Sequence, residues 1–97
     1  MRILEFVWLD EVIEKLFVRH DVVVEEVEEV FEGRPIIFKA EAGKRKGEDL
    51  YNALGRTEAG RYLSVFFIRK LNGDALMISA RDMNHRERKR YGSEKKG

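Results

Sequence analysis

The residues of this chain most suited to chemistry are arginines, and their spacing is what draws notice. Arg56 and Arg61 flank the stretch "GRTEAGR" (55–61), with Thr57 and Glu58 between them, and Arg81 closes the apolar run "ISAR" (78–81). A guanidinium fork matches two phosphate oxygens at once, so arginines converging across a turn and at a strand end suit a phosphate clamp. Two plainer readings stand beside it. Turns collect such residues for their own geometry, and Arg81 could instead pair with the glutamate-rich stretch at 24–32. Beyond Arg81 the chain continues "DMNHRERKRY", which carries Arg86, Arg88, Lys89 and Arg90 and ends in Tyr91.

The two histidines are His20 and His85. His20 continues an apolar stripe, which fits a helix-terminal side chain as well as a proton-transfer group; His85 reads as a surface residue. No histidine pair has metal-ligand spacing, there is no cysteine, and neither a glycine-rich phosphate loop nor a nucleophile elbow occurs. No metal and no cofactor are therefore expected. An arginine-rich sheet edge with one histidine, a threonine and several tyrosines suits binding and cutting RNA. In metal-free cleavage the ribose 2′-hydroxyl attacks the neighbouring phosphorus. The protein must then neutralise the pentavalent intermediate and manage two protons.

These side chains have to be positioned by a small domain. Ninety-seven residues make one domain, 1–97, with a frayed tail expected over 92–97. "RILEFVW" (2–8) predicts a strand. Leu9, Val12, Ile13, Leu16 and Phe17 then recur at helical spacing, and Val24, Val27, Val30 and Phe31 form the stripe of a second helix that Gly33 and Pro35 terminate. From Pro35 the period changes to two. "PIIFKA", "LYNALGRT", "RYLSVFFIR" and "ALMISAR" predict four strands, the third apolar on both faces and hence central. "TEAG" predicts a tight turn and Asn72-Gly73 a hairpin. Strict alternation along the last strand places Met77, Ser79 and Arg81 on one face. Asn84 and Glu87 form a capping box, so the basic helix starts near His85. That helix has almost no apolar stripe, which makes it solvent-facing or partner-facing.

The net charge of +1 hides an asymmetry. Residues 1–32 hold three Lys/Arg against ten Asp/Glu, residues 33–80 nine against five, and residues 81–97 seven against three. Basic charge gathered in the second part favours a polyanion or an acidic partner there. No run approaches a membrane span and no signal-peptide pattern is present, so no membrane is expected and the location expected is cytoplasmic.

Trp8, "RHDV" (19–22), "VEEVEEVF" (24–31), "GE" (47–48), "LGRTEAGRYLSVFF" (54–67) and "ISARDM…ER…Y" (78–91) stand in an order that closely resembles the BrnT-type proteins, toxins of bacterial type II toxin–antitoxin pairs. The resemblance spans nearly the whole chain. It implies a RelE-like α+β fold: an antiparallel sheet, two helices from the N-terminal half packed on one side, and a short basic C-terminal helix. It also implies a ribonuclease that inhibits translation and is neutralised by a cognate antitoxin protein, as a homodimer or a toxin–antitoxin heterotetramer. The matching positions here are Arg19 and His20, then Arg56, Thr57 and Arg61, then Arg81, and finally Glu87, Arg88 and Tyr91. Going beyond what the resemblance implies, Arg81 and Arg61 are assigned to phosphate and His20 to proton transfer, with Thr57 completing the catalytic set. Arg19, Arg56, Arg86, Arg88, Lys89 and Tyr91 are assigned to RNA binding. The chain departs from the family's usual pattern at Leu9, Val12 and Asp21, which commonly read Asp, Lys and Gly. The alternative is a non-catalytic RelE-like module that binds a protein partner or nucleic acid. A dimer formed by the acidic second helix against the basic third is a further possibility.

Overall fold

The computed structural model describes residues 1–96. In them β1 (Phe6–Val7) leads through α1 (Asp10–His20) and α2 (Val24–Glu32) to β2 (Ile36–Glu41), β3 (Leu50–Arg56), β4 (Tyr62–Arg69) and β5 (Ala75–Asp82), and α3 (His85–Lys96) follows. The strands form one sheet in the order β1-β5-β4-β3-β2. Strands β2 to β5 are an antiparallel meander, and β1 joins β5 in parallel. This is the expected α+β arrangement, with β4, apolar on both faces, at the centre.

The two faces of the sheet are covered differently. Helices α1 and α2 lie on one face, where Val12, Leu16, Val22, Val27 and Val30 meet Ala53, Leu63, Val65, Phe67, Met77 and Ala80 in the core. Helix α3 lies on the other, the open face, of which this one short polar helix covers only part. Residues opposite one another in the ladder share a face, so the pairs Asn52–Phe66, Leu54–Ser64 and Arg56–Tyr62 all project to the open side.

The turns follow the expected chemistry. Gly60 and Gly73 take φ of 94° and 97°, which side chains with a Cβ rarely adopt. Asn72 clasps the β4–β5 hairpin by accepting the Asp74 N–H at 3.0 Å.

Four details differ from the sequence-based expectation. The first strand shrinks from 2–8 to two residues, because its only ladder partners are Ala75 and Leu76. Phe17, placed on the buried stripe of α1, is 60% exposed, and Leu9 is 42% exposed. Only Val12 and Leu16 of that stripe are buried, since α1 packs along β5 near the sheet edge and finds no surface for the rest. The ladder slips between Phe66 and Phe67, which pair with Ser79 and Met77 and leave Ile78 as an extra residue. This bulge puts Met77 and Ala80 together in the core and sends Ser79 and Arg81 to the opposite face, so Met77 does not share a face with Arg81. Finally, α3 runs on to Lys96 through residues where a frayed tail was expected; Gly97 lies outside the described residues.

Candidate nucleic-acid interface

Arg81 leaves β5 on the open face, one short linker before α3. Asn84 caps that helix as its spacing with Glu87 requires: the Glu87 N–H donates to Asn84 Oδ1 at 2.8 Å, and the Asn84 N–H donates to Glu87 Oε1 at 2.9 Å. The same carboxylate receives both arms of Arg81, Nη1 to Oε1 at 2.7 Å and Nη2 to Oε2 at 2.9 Å. Ser64 Oγ donates to Oε2 at 3.0 Å, and Asn52 Nδ2 donates to Ser64 Oγ at 2.9 Å. A polar chain thus runs from β3 through β4 and α3 to β5. Burial pushes the Glu87 carboxyl up, but Arg81, the Asn84 N–H and the Ser64 hydroxyl outweigh it and hold Glu87 below the ordinary carboxylate range. The partner of Arg81 is therefore on α3, not on the glutamate-rich second helix.

A basic and aromatic patch adjoins this chain, built from the end of β3, the start of β4 and α3. The guanidinium carbons of Arg56 and Arg88 lie 4.5 and 4.0 Å from the centroid of the Tyr62 ring. Tyr91 meets Tyr62 edge-on at 6.0 Å, and Arg90 stacks over Phe38 at 3.5 Å. Arg86 and Lys89 are exposed on the same helix and make no ion pair among the described residues. Of the six residues assigned to RNA binding, Arg56, Arg88 and Tyr91 surround Tyr62, and Arg86 and Lys89 are exposed elsewhere on α3. The sixth, Arg19, is exposed on α1 across the sheet.

The residues assigned to catalysis do not gather in one place. Arg61 turns to the helix face. It donates to Asp82 Oδ1 at 2.7 Å, to the carbonyls of Asp21 and His20 at 2.6 and 3.0 Å, and to both oxygens of Glu26 at 3.2 Å. Its guanidinium clasps the C-terminus of α1 and the start of α2 to the end of β5. Asp82 is lowered chiefly by the hydrogen bond from Arg61, with a smaller contribution from the charge of His20. Thr57 is buried, and its Oγ1 accepts the Arg61 N–H at 3.0 Å within the turn. His20 is half-buried at the end of α1 on this same side. Arg81 and Asp82, neighbours in sequence, thus serve opposite faces, and Arg61 and Arg81 do not converge on one ligand position.

Sequence reasoning missed Asn52, Ser64 and Tyr62. A signal for them exists: each is a polar-tipped residue inside an apolar strand, and once β3 and β4 are paired in register, Ser64 and Tyr62 share a face with Asn52 and Arg56. The patch offers what RNA recognition uses, cations for phosphate and flat rings for bases. Among the described residues no group of three His, Asp or Glu side chains is arranged to hold a metal. No helix among them is long and apolar enough to cross a membrane.

Comparison with known proteins agrees with the residue blocks. No curated protein matches the chain. The family model described as the ribonuclease toxin BrnT of type II toxin–antitoxin systems matches residues 8–87, which takes in α1, α2, the strands from β2 to β5 and Glu87 on α3. The chain belongs to the BrnT family of type II ribonuclease toxins.

Proposed function

We propose that the chain is an endoribonuclease that cuts RNA without a metal, arrests translation in the cytoplasm and is silenced by an antitoxin protein. The observation that carries this reading is the clustering of Arg56, Arg88 and Tyr91 around Tyr62, next to the Arg81–Glu87 pair. Arg56, Arg86, Arg88 and Lys89 take phosphates, and Tyr62 and Tyr91 offer faces for bases. Arg81 turns from Glu87 to the scissile phosphate, where its fork stabilises the charge that builds on the equatorial oxygens.

Release of Arg81 also prepares a base. Glu87 keeps its burial but loses one of the contacts that lower its pKa, so its carboxylate becomes more basic as the phosphate arrives. It accepts the 2′-hydroxyl proton, the 2′-oxygen bonds to phosphorus, and the 5′-oxygen leaves with a proton from solvent or a neighbouring acid. The products are a 2′,3′-cyclic phosphate and a 5′-hydroxyl. Arg61 and Thr57 act as positioning residues, fixing the turn from which Arg56 and Tyr62 project. His20, on the helix face, is the competing proton-transfer group.

One observation favours a non-catalytic binding module: in this structure Arg81 and Arg61 are both engaged by carboxylates. Incubating the purified protein with total RNA in EDTA separates the readings. The proposal expects cleavage with 2′,3′-cyclic ends, lost in Arg81→Ala and Glu87→Gln and kept in His20→Ala. Loss only in His20→Ala moves the proton-transfer role to His20. RNA that stays intact with and without ribosomes, yet binds, favours the binding module.

A further inference from the structure

Phe38, Asn52, Phe66 and Ser79 stand side by side across β2, β3, β4 and β5 in one row of the ladder. Residues paired in this way share a face, and this row crosses the open face two residues along the strands from Ser64 and Arg81. Both rings are half-buried, and each has a guanidinium over it. Arg81 lies 5.4 Å from the Phe66 centroid and Arg90 3.5 Å from that of Phe38. Both cations have carboxylate partners, Glu87 for Arg81 and, at 3.4 Å, Glu94 for Arg90. The next row away from Arg81, Leu50, Ile68 and Leu76, is uncharged. Glu41, opposite Leu50 on β2, is two strands from Phe66, at least about 10 Å away. The bulge at Ile78 completes the row: it admits Met77 to the core and sets Ser79 opposite Phe66. Bulges re-aim side chains in this way beside functional sites.

The hydrogen bonds fix what Asn52 presents. The Ser64 hydroxyl gives its one proton to Glu87, so it must accept from Asn52 Nδ2, at 2.9 Å. The Val65 carbonyl, which can only accept, takes the second Nδ2 proton at 3.1 Å. Both donors of the amide are thus committed, and only the acceptor Oδ1 is left. Asn52 is 4% exposed. Among the described residues the one sealed side-chain polar atom without a partner is Trp8 Nε1, so Oδ1 still reaches solvent. The Ser79 hydroxyl, on the other side of Phe66, is partly exposed and likewise makes no hydrogen bond among the described residues.

We propose that this row receives one unpaired RNA base and selects for an exocyclic amine. The base stacks on Phe66 once Arg81 has turned to the phosphate. Asn52 Oδ1 accepts from the amine, the Ser79 hydroxyl meets the opposite edge, and the Phe38–Arg90 stack walls the slot beyond Asn52. Cytosine and adenine present an amine that projects past the ring and reaches a recessed acceptor. Uracil carries carbonyl oxygens on both sides of its N3–H, and these meet the Oδ1 lone pairs first. An apolar protein segment fits less well, because it strips water from Asn52, Ser79 and four charged groups without pairing them. The inference rests on the reading of the open face as the RNA surface, and adds which base is held beside the scissile phosphate.

The test titrates the full chain with fluorescein-labelled 2′-O-methyl oligocytidine and oligouridine of equal length, by anisotropy at one low salt concentration. These two bases differ in the group at C4 and the proton on N3. Wild type should bind oligocytidine about fivefold more tightly, and the ring protons of Phe66 should move upfield as a base stacks on them. The preference should disappear in the near-isosteric Asn52→Leu, and Phe66→Leu should weaken oligocytidine binding about tenfold. Thermal unfolding identifies any variant that fails to fold, and the wild-type preference and ring shifts then decide alone. The proposal is overturned if wild type binds both oligomers equally, if the Phe66 ring protons do not move, or if a folded variant behaves as wild type. In each of these cases RNA still binds, and the reading of the open face survives. If neither oligomer binds, that reading and this proposal fall together.

Discussion

Arg81 and Glu87 are joined by two charge-assisted hydrogen bonds, 2.7 and 2.9 Å long, that tie the end of β5 to the first turn of α3. Helix α3 has little apolar surface with which to hold itself to the sheet, so this polar anchor and the cation–π contacts at Tyr62 and Phe38 do most of that work. Replacing Glu87 by Ala strands three donors at once: the Arg81 fork, the Ser64 hydroxyl and the Asn84 N–H. The variant should lose about 1–3 kcal/mol of stability, with α3 amides exchanging first. Urea unfolding with native-state hydrogen exchange checks this, and an unchanged midpoint with protected α3 amides contradicts it.

Acid should act on the same anchor. Glu87 and Asp82 both titrate below their ordinary values of 4.5 and 3.8 when folded. A carboxyl whose folded pKa is lowered contributes stability that is complete above its unfolded pKa and is lost as the pH falls through the folded one. Urea midpoints should therefore be flat from pH 7 to about pH 5 and fall below pH 4.5. Glu87→Gln should start lower and fall less steeply. Parallel curves for the variant and wild type would remove Glu87 from the acid response.

Arg61 is a structural clasp. Arg61→Ala leaves Asp82, Glu26 and the last carbonyls of α1 without their donor, and should cost about 2–3 kcal/mol. Arg61→Lys should recover little of it, because one ammonium cannot span the carboxylates and carbonyls that the planar fork reaches. A variant that keeps its melting temperature but loses RNA binding would instead make Arg61 a ligand residue.

Asp21 ends α1 in the left-handed region, at φ 53° and ψ 42°. Its N–H reaches the Phe17 carbonyl at 3.1 Å, and the chain turns there so that Val22 enters the core. Glycine adopts this conformation without a Cβ penalty, so Asp21→Gly should raise stability by about 0.5–1 kcal/mol. Thermal unfolding measures it. A loss of stability would mean that the Asp21 side chain contributes more than its backbone conformation costs.

Much of this architecture was legible in the sequence, because its signals are local. Asn84 and Glu87 mark the start of α3 by the reciprocal bonds their spacing allows. Asn72-Gly73 marks the hairpin by the conformation only glycine takes freely, and the doubly apolar "RYLSVFFIR" marks the central strand. The bulge at Ile78 has no such signal. An extra residue in a strand changes no composition, yet it reverses which side chains share a face, so Ser79 and Arg81 could be placed together on the polar side but Met77 was wrongly grouped with them. The partners of Arg61 and Arg81 were likewise hidden. Each is paired with a carboxylate, but Arg61 with Glu26 and Asp82 and Arg81 with Glu87, and the choice depends on which face each strand end presents. Of the residues expected to bind RNA, Arg86, Arg88, Lys89 and Tyr91 lie on one helix, where neighbours in sequence remain neighbours in space.

The central claim is that the open face, with α3, is the surface that meets RNA. Titrating the ¹⁵N-labelled protein with a short non-hydrolysable single-stranded RNA, in which each 2′-hydroxyl is methylated, tests it most directly. Amide and arginine side-chain shifts should concentrate at Arg56, Tyr62, Arg81, Arg88 and Tyr91. Affinity should fall linearly in log–log form with added salt, and in Arg88→Ala the slope should be shallower by about 0.7. Shifts confined to α1 and α2, or none at any RNA concentration, would contradict the account.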